Sequence, residues 1–366
     1  MNKLKTLPAL LATLLLSRAL DAAAQVPPGY PAAYAKIVDA AKAEGKLVVY
    51  SNADTKVVAA LLKDFKALYP AIQLEYNDMN STEMYSRFIA ETASGSASAD
   101  LLWNSSMDLQ MKMVADGFAL PYKSPEAAAL PAWANYRDMA YGTTFEPAVI
   151  VYNKRLVPPA EVPQSHAALI ALLAAKPDKY RDKVTTYDIE KSGVGYLLAV
   201  HDTEASPQAW SLADALGKAG VRVQSSNGTM MERISSGEQL LGYNVLGSYA
   251  HARSKQDPSL GYAIPSDYVL VLSRVMSINK GARHPNAAKL WLDYTLSRRG
   301  QTIIANDAQL FSIRADVTGD GTAADLTRQY GARLKPIPVH PSIVASMEQK
   351  QRLAFLKRWK AATARR

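Results

Sequence analysis

The chain has 366 residues, of which 48% are hydrophobic and 20% are charged, and its formal net charge is +9. This length exceeds what one hydrophobic core normally organises, so we expect two domains, and the composition excludes a disordered protein. The sequence contains no cysteine, which excludes disulfide bonds, thiol catalysis, thiolate metal sites and a lipid-modified cysteine. The basic residues are scattered except in the stretch 350–366, for which a solvated helix is a simpler interpretation than a nucleic-acid site. We therefore predict no nucleic-acid partner.

Residues 1–24 have the three-part pattern of a secretory signal peptide. Lys3 and Lys5 precede an apolar run over 7–16, and three alanines at 22–24 provide small residues for cleavage. The apolar run is too short to anchor the chain stably across a bilayer. We therefore expect export to a bacterial periplasm, where the mature chain is a free soluble protein.

Strand-like and helix-like segments alternate along the first half of the chain. The predicted strands run over 46–50, 72–76, 100–103 and 145–152, and the predicted helices over 34–44, 56–68, 84–92 and 107–116. This alternation favours a mainly parallel sheet with crossover helices. We interpret the strand at 145–152 as the first crossing between two lobes.

The second half continues the alternation with longer helices. The predicted strands run over 184–187, 221–224 and 268–278, and the predicted helices over 196–201, 210–216, 230–241 and 285–306, the last broken near residue 300. The strand at 268–278 is predicted to return to the first lobe. The resulting division is lobe 1 at 25–148 plus 275–335, lobe 2 at 149–274, and a C-terminal helical segment at 336–366.

Three stretches stand where an apolar strand gives way to polar or Gly-rich chain, and we expect them to face one cleft. They are 50–54, 192–195 and 242–249. Open α/β sheets bind their ligands at such strand ends. Free backbone N–H groups and a hydroxyl at a helix start, as at Ser192 and Gly193, favour an anionic ligand.

Several candidate residues in and beyond these stretches have two possible interpretations. Ser51, Asn52 and Asp54 could bind ligand or cap the helix that follows, and Ser105 and Ser106 have the same ambiguity.

Tyr243 and Asn244 are interpreted as site residues, because a buried Asn needs partners that a bound anion or the opposite lobe would provide. Arg274 and Arg314 could each neutralise an anion or pair with an internal carboxylate.

The chain resembles the extracellular solute-binding proteins of ABC transporters, in the branch that includes the periplasmic ferric-ion binders. The resemblance rests on the order of the strands at 46–50, 100–103 and 149–151, followed by Ser192-Gly193. A late Ala-Ala-x-x-Trp and Ser-x-x-Gly-Gln pattern within 287–301 is its most specific part. The resemblance implies a two-lobed, type II-like periplasmic-binding-protein fold joined by two crossing strands. It also implies hinge closure on a ligand and delivery to a membrane permease.

In the iron-binding relatives a His, a Glu and paired tyrosines hold the metal. The matching positions here are Asp54 or a neighbour, the stretch 104–106 and Val245-Leu246. Ferric iron requires anionic oxygen ligands, which Ser, Val and Leu cannot supply. Ferric-ion binding stays open as an alternative, because Tyr243 and Tyr249 flank the last pair.

The anion-holding positions of these relatives match Ser192-Gly193 and Asn227. We therefore expect a small organic anion (a phosphonate, phosphate ester or carboxylate) without a metal or other cofactor. The sequence shows no nucleophile elbow, zinc-binding helix motif or recognisable catalytic set, so we predict a monomeric binding protein and no enzyme. The predicted ligand-binding residues are Ser51, Asn52, Asp54, Ser105, Ser106, Ser192, Gly193, Asn227, Tyr243, Asn244, Arg274 and Arg314.

Overall fold

A computed structural model describes residues 26–308 and 310–364, so the predicted signal peptide lies outside the described residues. The strands are β1 Lys46–Ser51, β2 Gln73–Asp78, β3 Leu101–Asn104, β4 Asn135–Tyr136, β5 Ala140–Gly142, β6 Glu146–Asn153, β7 Val184–Tyr187, β8 Arg222–Gln224, β9 Leu241–Leu246, β10 Leu260–Ala263, β11 Val269–Leu272, β12 Val275–Ile278 and β13 Leu334–Pro336. The α-helices are α1 Ala35–Glu44, α2 Ala59–Leu68, α3 Ser81–Ala93, α4 Met107–Ala115, α5 His166–Ala175, α6 Pro177–Tyr180, α7 Gly193–Ala205, α8 Ala209–Lys218, α9 Asn227–Ser236, α10 Gly247–Gln256, α11 Pro285–Leu296, α12 Arg298–Asn306, α13 Ala323–Tyr330 and α14 Gln349–Thr363. Within the described ranges, no helix has the length and apolar character needed to cross a membrane.

Two mixed sheets, each flanked by helices, define two lobes. In lobe 1 the strand order is β2-β1-β3-β12-β5-β4, and in lobe 2 it is β13-β11-β6-β9-β7-β8 with β10 also paired to β6. In lobe 1, β1, β2 and β3 are parallel, whereas β12 runs antiparallel to β3 and β5. In lobe 2, β7 pairs in parallel with β8 and β9, and β6 is antiparallel to β9 and β11. The two-lobed α/β fold is as predicted, but the sheets are mixed rather than mainly parallel.

Side-chain caps fix where several helices begin. Asn80 accepts a hydrogen bond from the N–H of Thr82 at the start of α3, Ser192 does the same for Gly195 in α7, and Ser226 for Thr229 in α9. Such caps satisfy backbone donors that the first turn leaves without a partner. The cap by Ser226 starts α9 at Asn227, three residues before the predicted start.

The stretch from 230 to 249 differs from its predicted course. Helix α9 ends at Ser236 because Gly237 adopts φ 81°, a left-handed conformation that glycine tolerates without a steric penalty. The chain then forms β9, which is inserted between β6 and β7. Residues 242–246 are therefore buried in a central strand, and only the chain that follows β9 reaches the edge of the sheet.

The chain crosses between the lobes three times, and the first two crossings are short connections between strands. The first joins β5 in lobe 1 to β6 in lobe 2, and the second joins β11 in lobe 2 to β12 in lobe 1. The predicted long strand at 268–278 is two strands, interrupted at Ser273 and Arg274 where the chain changes sheets. The connections are bonded together, since Thr143 N–H donates to the Arg274 carbonyl at 2.9 Å and Arg274 N–H donates to Thr144 Oγ1 at 2.8 Å.

The chain after α12 returns to lobe 2, which contradicts the end of lobe 1 predicted at residue 335. Strand β13 pairs in parallel with β11. Phe311, Leu326 and Leu334 are buried against Val269 and Val271 of β11. These apolar contacts place α13 and β13 with the second sheet.

The C-terminal segment packs on both lobes. A 3₁₀ helix, Pro341–Met347, packs against α4 of lobe 1, and α14 packs against α8 of lobe 2. Trp359 of α14 is buried beside Trp210, and the guanidinium of Arg358 lies 3.8 Å from the centre of the Trp210 ring. The basic tail is thus a helix as predicted, but one of its faces is packed rather than solvated.

Candidate functional site

A cleft of about 280 Å³ lies between the lobes, where the carboxyl ends of parallel strands face each other. Strands β1, β2 and β3 end on the lobe 1 side, and β7, β8 and β9 end on the lobe 2 side. The starts of α3, α7, α9 and α10 follow these strand ends. This is the position at which open α/β sheets bind ligands.

Asn52 links the ends of β1 and β3 in the lobe 1 wall. Its Nδ2 donates to Ser105 Oγ at 2.6 Å, and its Oδ1 accepts the Ser105 N–H at 3.0 Å. Asp54 is exposed at the same wall, and its backbone N–H donates to the Tyr249 hydroxyl of lobe 2 at 3.4 Å. Asp78, at the end of β2, accepts hydrogen bonds from the N–H and hydroxyl of Thr55. The wall therefore presents a fixed amide and two carboxylates.

Asn227 is the polar residue on the lobe 2 wall whose hydrogen bonding is incomplete. Its Oδ1 accepts bonds from the Tyr187 hydroxyl and the Leu246 N–H, both at 3.1 Å. Because the Leu246 N–H can only donate, the amide oxygen must face it and the NH₂ group must point the other way. That Nδ2 is buried and has no hydrogen-bond partner among the described residues, although the side chain lines the cleft. A buried donor without a partner is costly, so it indicates a missing acceptor.

The helix starts around Asn227 create a positive field in the cleft. Ser192 caps α7 and Ser226 caps α9, and both residues line the cleft. Tyr249 lies in the first turn of α10 and also lines it. Unpaired N–H groups at a helix N-terminus act as a partial positive charge and favour anions.

Arg274 enters the cleft from the second connection between the lobes. Its side chain is 1% exposed, and its Nε lies 2.8 Å from Glu146 Oε1. Its Nη1 donates to Asn52 Oδ1 at 3.2 Å, so one guanidinium joins the hinge to the cleft wall. Burial acts to lower the pKa of Arg274. The charge and hydrogen bonding of Glu146, together with the nearby Tyr249 and Tyr76, outweigh this effect and raise the pKa above its ordinary value. Arg274 is therefore a permanent cation with its own internal partner.

The structure brings most of the predicted site residues together. Asn52, Asp54, Ser105, Ser192, Asn227 and Arg274 all line the cleft. Ser51 lies just behind them, and its hydroxyl is used within the turn by the Ala53 N–H. Ser106 and Gly193 meet where the two lobes touch, since a methyl group on residue 193 would overlap Ser106 Oγ.

Three predicted site residues lie outside the cleft. Tyr243 and Asn244 point into lobe 2, where the Tyr243 hydroxyl donates to Asp202 at 2.7 Å and Asn244 Nδ2 donates to it at 2.6 Å. The partner that the buried Asn needs is thus a buried carboxylate, whose pKa is raised by desolvation. Arg314 pairs with Glu126 and with Asp316 at 2.7 Å, away from the cleft.

Other cleft residues were not predicted. Asp78 is the last residue of β2 and Ser81 begins α3 three residues later, much as Asn52 directly follows β1, so the end of β2 was a usable signal. Tyr187 and Ser226 are brought to the cleft by the end of β7 and the start of α9. The predicted helix began three residues too late to reveal Ser226 as its cap.

The cleft offers few ligands for a metal ion. Among the described residues, no group of three or more His, Asp or Glu side chains could hold a metal. A ferric ion would therefore depend on tyrosinate at Tyr249, and burial raises the pKa of that hydroxyl to about 12.

The chain belongs to the bacterial extracellular solute-binding protein family, whose profile matches residues 60–328. A solved structure of the substrate-binding protein of an ABC transporter from Agrobacterium tumefaciens is 37% identical, with a TM-score of 0.83 over 87% of this chain and 94% of that one. The chain is thus a substrate-binding protein of the ABC-transporter type. A search of curated protein sequences gave no match.

More distant structures share the fold. The periplasmic binding protein AfuA from Actinobacillus pleuropneumoniae, solved with fructose-6-phosphate bound, is 19% identical with a TM-score of 0.73 over 87% of this chain and 98% of that one. The apo ferric ion-binding protein A from Pasteurella haemolytica is 17% identical with a TM-score of 0.67 over 87% and 98% of the two chains. These two similarities establish the fold but do not identify the ligand.

Proposed function

We propose that this protein captures a small organic anion in the periplasm and delivers it to the membrane permease of an ABC importer. The anion is a phosphonate, phosphate ester or carboxylate that binds as the two lobes close. The protein acts as a monomer and carries no catalytic group for this task.

The observation that carries the proposal is the buried Asn227 Nδ2, which lines the cleft without an acceptor. Its orientation is fixed by the Leu246 N–H, so rotation of the amide cannot satisfy it from within the protein. The adjoining starts of α7 and α9 supply further N–H donors. An anionic ligand placed there could accept hydrogen bonds from Asn227 Nδ2 and from the N–H groups at these helix starts.

AfuA, a distant structural relative, holds a sugar phosphate, which is one of the ligand classes proposed here. Ferric-ion binding is less well supported, because the cleft lacks a carboxylate or His cluster for the metal among the described residues. A ferric salt is accordingly expected to produce no tyrosinate charge-transfer band.

The test is a thermal-shift screen of phosphonates, phosphate esters and carboxylates with the Asn227→Asp variant. Aspartate can still accept both existing hydrogen bonds, but it turns an anionic oxygen toward the ligand instead of an NH₂ group. We expect the anion that raises the melting temperature of the wild type most to lose at least about tenfold in affinity, from repulsion of about 1.4 kcal/mol or more.

The control is Gln329→Glu, which introduces the same charge at an exposed position on α13. It should leave the shift unchanged. An unchanged shift in Asn227→Asp, or a screen in which no anion stabilises the wild type, would contradict the proposal.

A further inference from the structure

Glu146 and Arg274 form a buried ion pair between the β5–β6 connection and the β11–β12 connection. Glu146 is the first residue of β6, directly after the first connection, and Arg274 lies within the second. The side chains are 0% and 1% exposed, and Nε and Oε1 are 2.8 Å apart. Glu146 also accepts hydrogen bonds from the hydroxyls of Thr144 and Ser248. Both ends of the pair are therefore held in one geometry.

The pair determines how much positive charge a ligand meets. Among the described residues that line the cleft, Arg274 is the sole cation, and Asp54 and Asp78 are acidic. Glu146 lies behind Arg274 and matches its charge, so the pair presents no net charge to a ligand. What remains for an anion is the partial charge of the helix starts and the amide of Asn227.

We infer that Glu146 is a specificity-determining residue. Its negative charge offsets the positive charge of Arg274, so that the cleft selects a singly charged anion over a doubly charged one. This inference rests on the proposed function, because it concerns the anion in the same cleft. A first negative charge meets the helix starts and Asn227. A second charge has no unmatched cation, and it is repelled by Glu146 and by the two carboxylates on the lobe 1 wall.

The test compares dimethyl phosphate, which carries a single charge, with methyl phosphate, which is close to doubly charged at mildly alkaline pH. Isothermal titration gives the affinity of each ligand, and the ratio of the two affinities is followed through a set of variants. Because the same two ligands are used with every variant, their difference in size does not affect the change in the ratio.

In Glu146→Gln, Arg274 keeps its charge but loses its partner, so the ratio should move toward methyl phosphate by about tenfold. The double variant Glu146→Gln/Arg274→Gln removes both charges and should return the ratio to within about threefold of the wild type. A purely structural role for Glu146 would weaken both ligands alike. Ser248→Ala is the matched control, since it removes one hydrogen bond to Glu146 without changing any charge.

An unchanged ratio in Glu146→Gln would overturn the inference while leaving the proposed function intact, provided that the ligands still bind. Should Glu146→Gln fail to fold, the double variant decides, because a ratio that departs from the wild type by more than about threefold contradicts charge matching. Failure of dimethyl phosphate to bind the folded wild type would overturn the inference, whereas the proposed function would fall only if the wider anion screen also gave no ligand.

Discussion

Asp108 is a buried carboxylate that the cleft does not use. It lies in the first turn of α4, where Oδ1 accepts the Leu109 N–H and Oδ2 has no partner among the described residues. Burial raises its pKa from 3.8 to about 6. The folded state therefore binds more protons than the unfolded state between these two values, and stability falls as the pH rises through this window.

We expect Asp108→Asn to stabilise the protein at about pH 8 by roughly 1 to 3 kcal/mol, because a shift of about two units corresponds to about 3 kcal/mol. The gain should vanish at about pH 3, where the carboxyl is mostly protonated in both states. Urea unfolding at the two pH values measures this difference. Asp39→Asn, at an exposed position on α1, is the control, and a gain that is equal at both pH values would contradict the assignment.

Single residues were predictable where the backbone alone determines their role. Ser192 and Asn52 follow apolar strands, and strand ends in such sheets meet at the ligand cleft. Tyr243 and Asn244 were misplaced because β9 is a central strand, and the residues that follow it, such as Tyr249, reach the cleft instead. The partner of Arg274 is 128 residues away in the chain, so no local pattern could reveal Glu146.

Helices α4 and α7 meet across the cleft at their first turns. Gly193 of α7 packs against Ser106 and Leu109 on the lobe 1 side, where an added methyl group would overlap Ser106 Oγ and lie 3.0 Å from Leu109 Cδ1. The Thr82 hydroxyl of α3 also donates to the Lys191 carbonyl at 3.4 Å. Residue 193 must therefore lack a side chain for the lobes to adopt this closed arrangement.

We expect Gly193→Ala to weaken ligand affinity by roughly 5- to 150-fold, since overpacking of about 1 to 3 kcal/mol would act on the closed arrangement. Adding Ser106→Gly should restore most of the affinity, because it removes the hydroxyl that the new methyl group would overlap. Titration calorimetry with the ligand found in the screen measures both variants. Loss of affinity without rescue by Ser106→Gly would show that the contact does not control closure.

Elements with strong local signals were predicted correctly, and elements defined by distant partners were not. Helices α1, α2 and α4 lie within one to three residues of their predicted positions at 34–44, 56–68 and 107–116. The apolar run at 268–278 reads as one strand, but its pairing changes from lobe 2 to lobe 1 at Arg274. A change of sheet depends on tertiary partners, which hydrophobic periodicity does not report.

The whole molecule is two lobes joined by two short connections between strands and by a third crossing after α12, with the C-terminal segment packed on both. The fold class followed from strand–helix alternation and from the family resemblance. The return of the chain to lobe 2 after residue 310 did not, because it rests on the burial of Phe311 and Leu326 against β11. The size and lining of the cleft likewise depend on how the lobes meet.

The most direct test of the account is a crystal structure of the protein with the ligand that stabilises it most. We predict an anionic oxygen that accepts a hydrogen bond from Asn227 Nδ2 at the starts of α7 and α9, enclosed between the lobes. A cation coordinated by Tyr249, or a ligand bound anywhere outside this cleft, would contradict it.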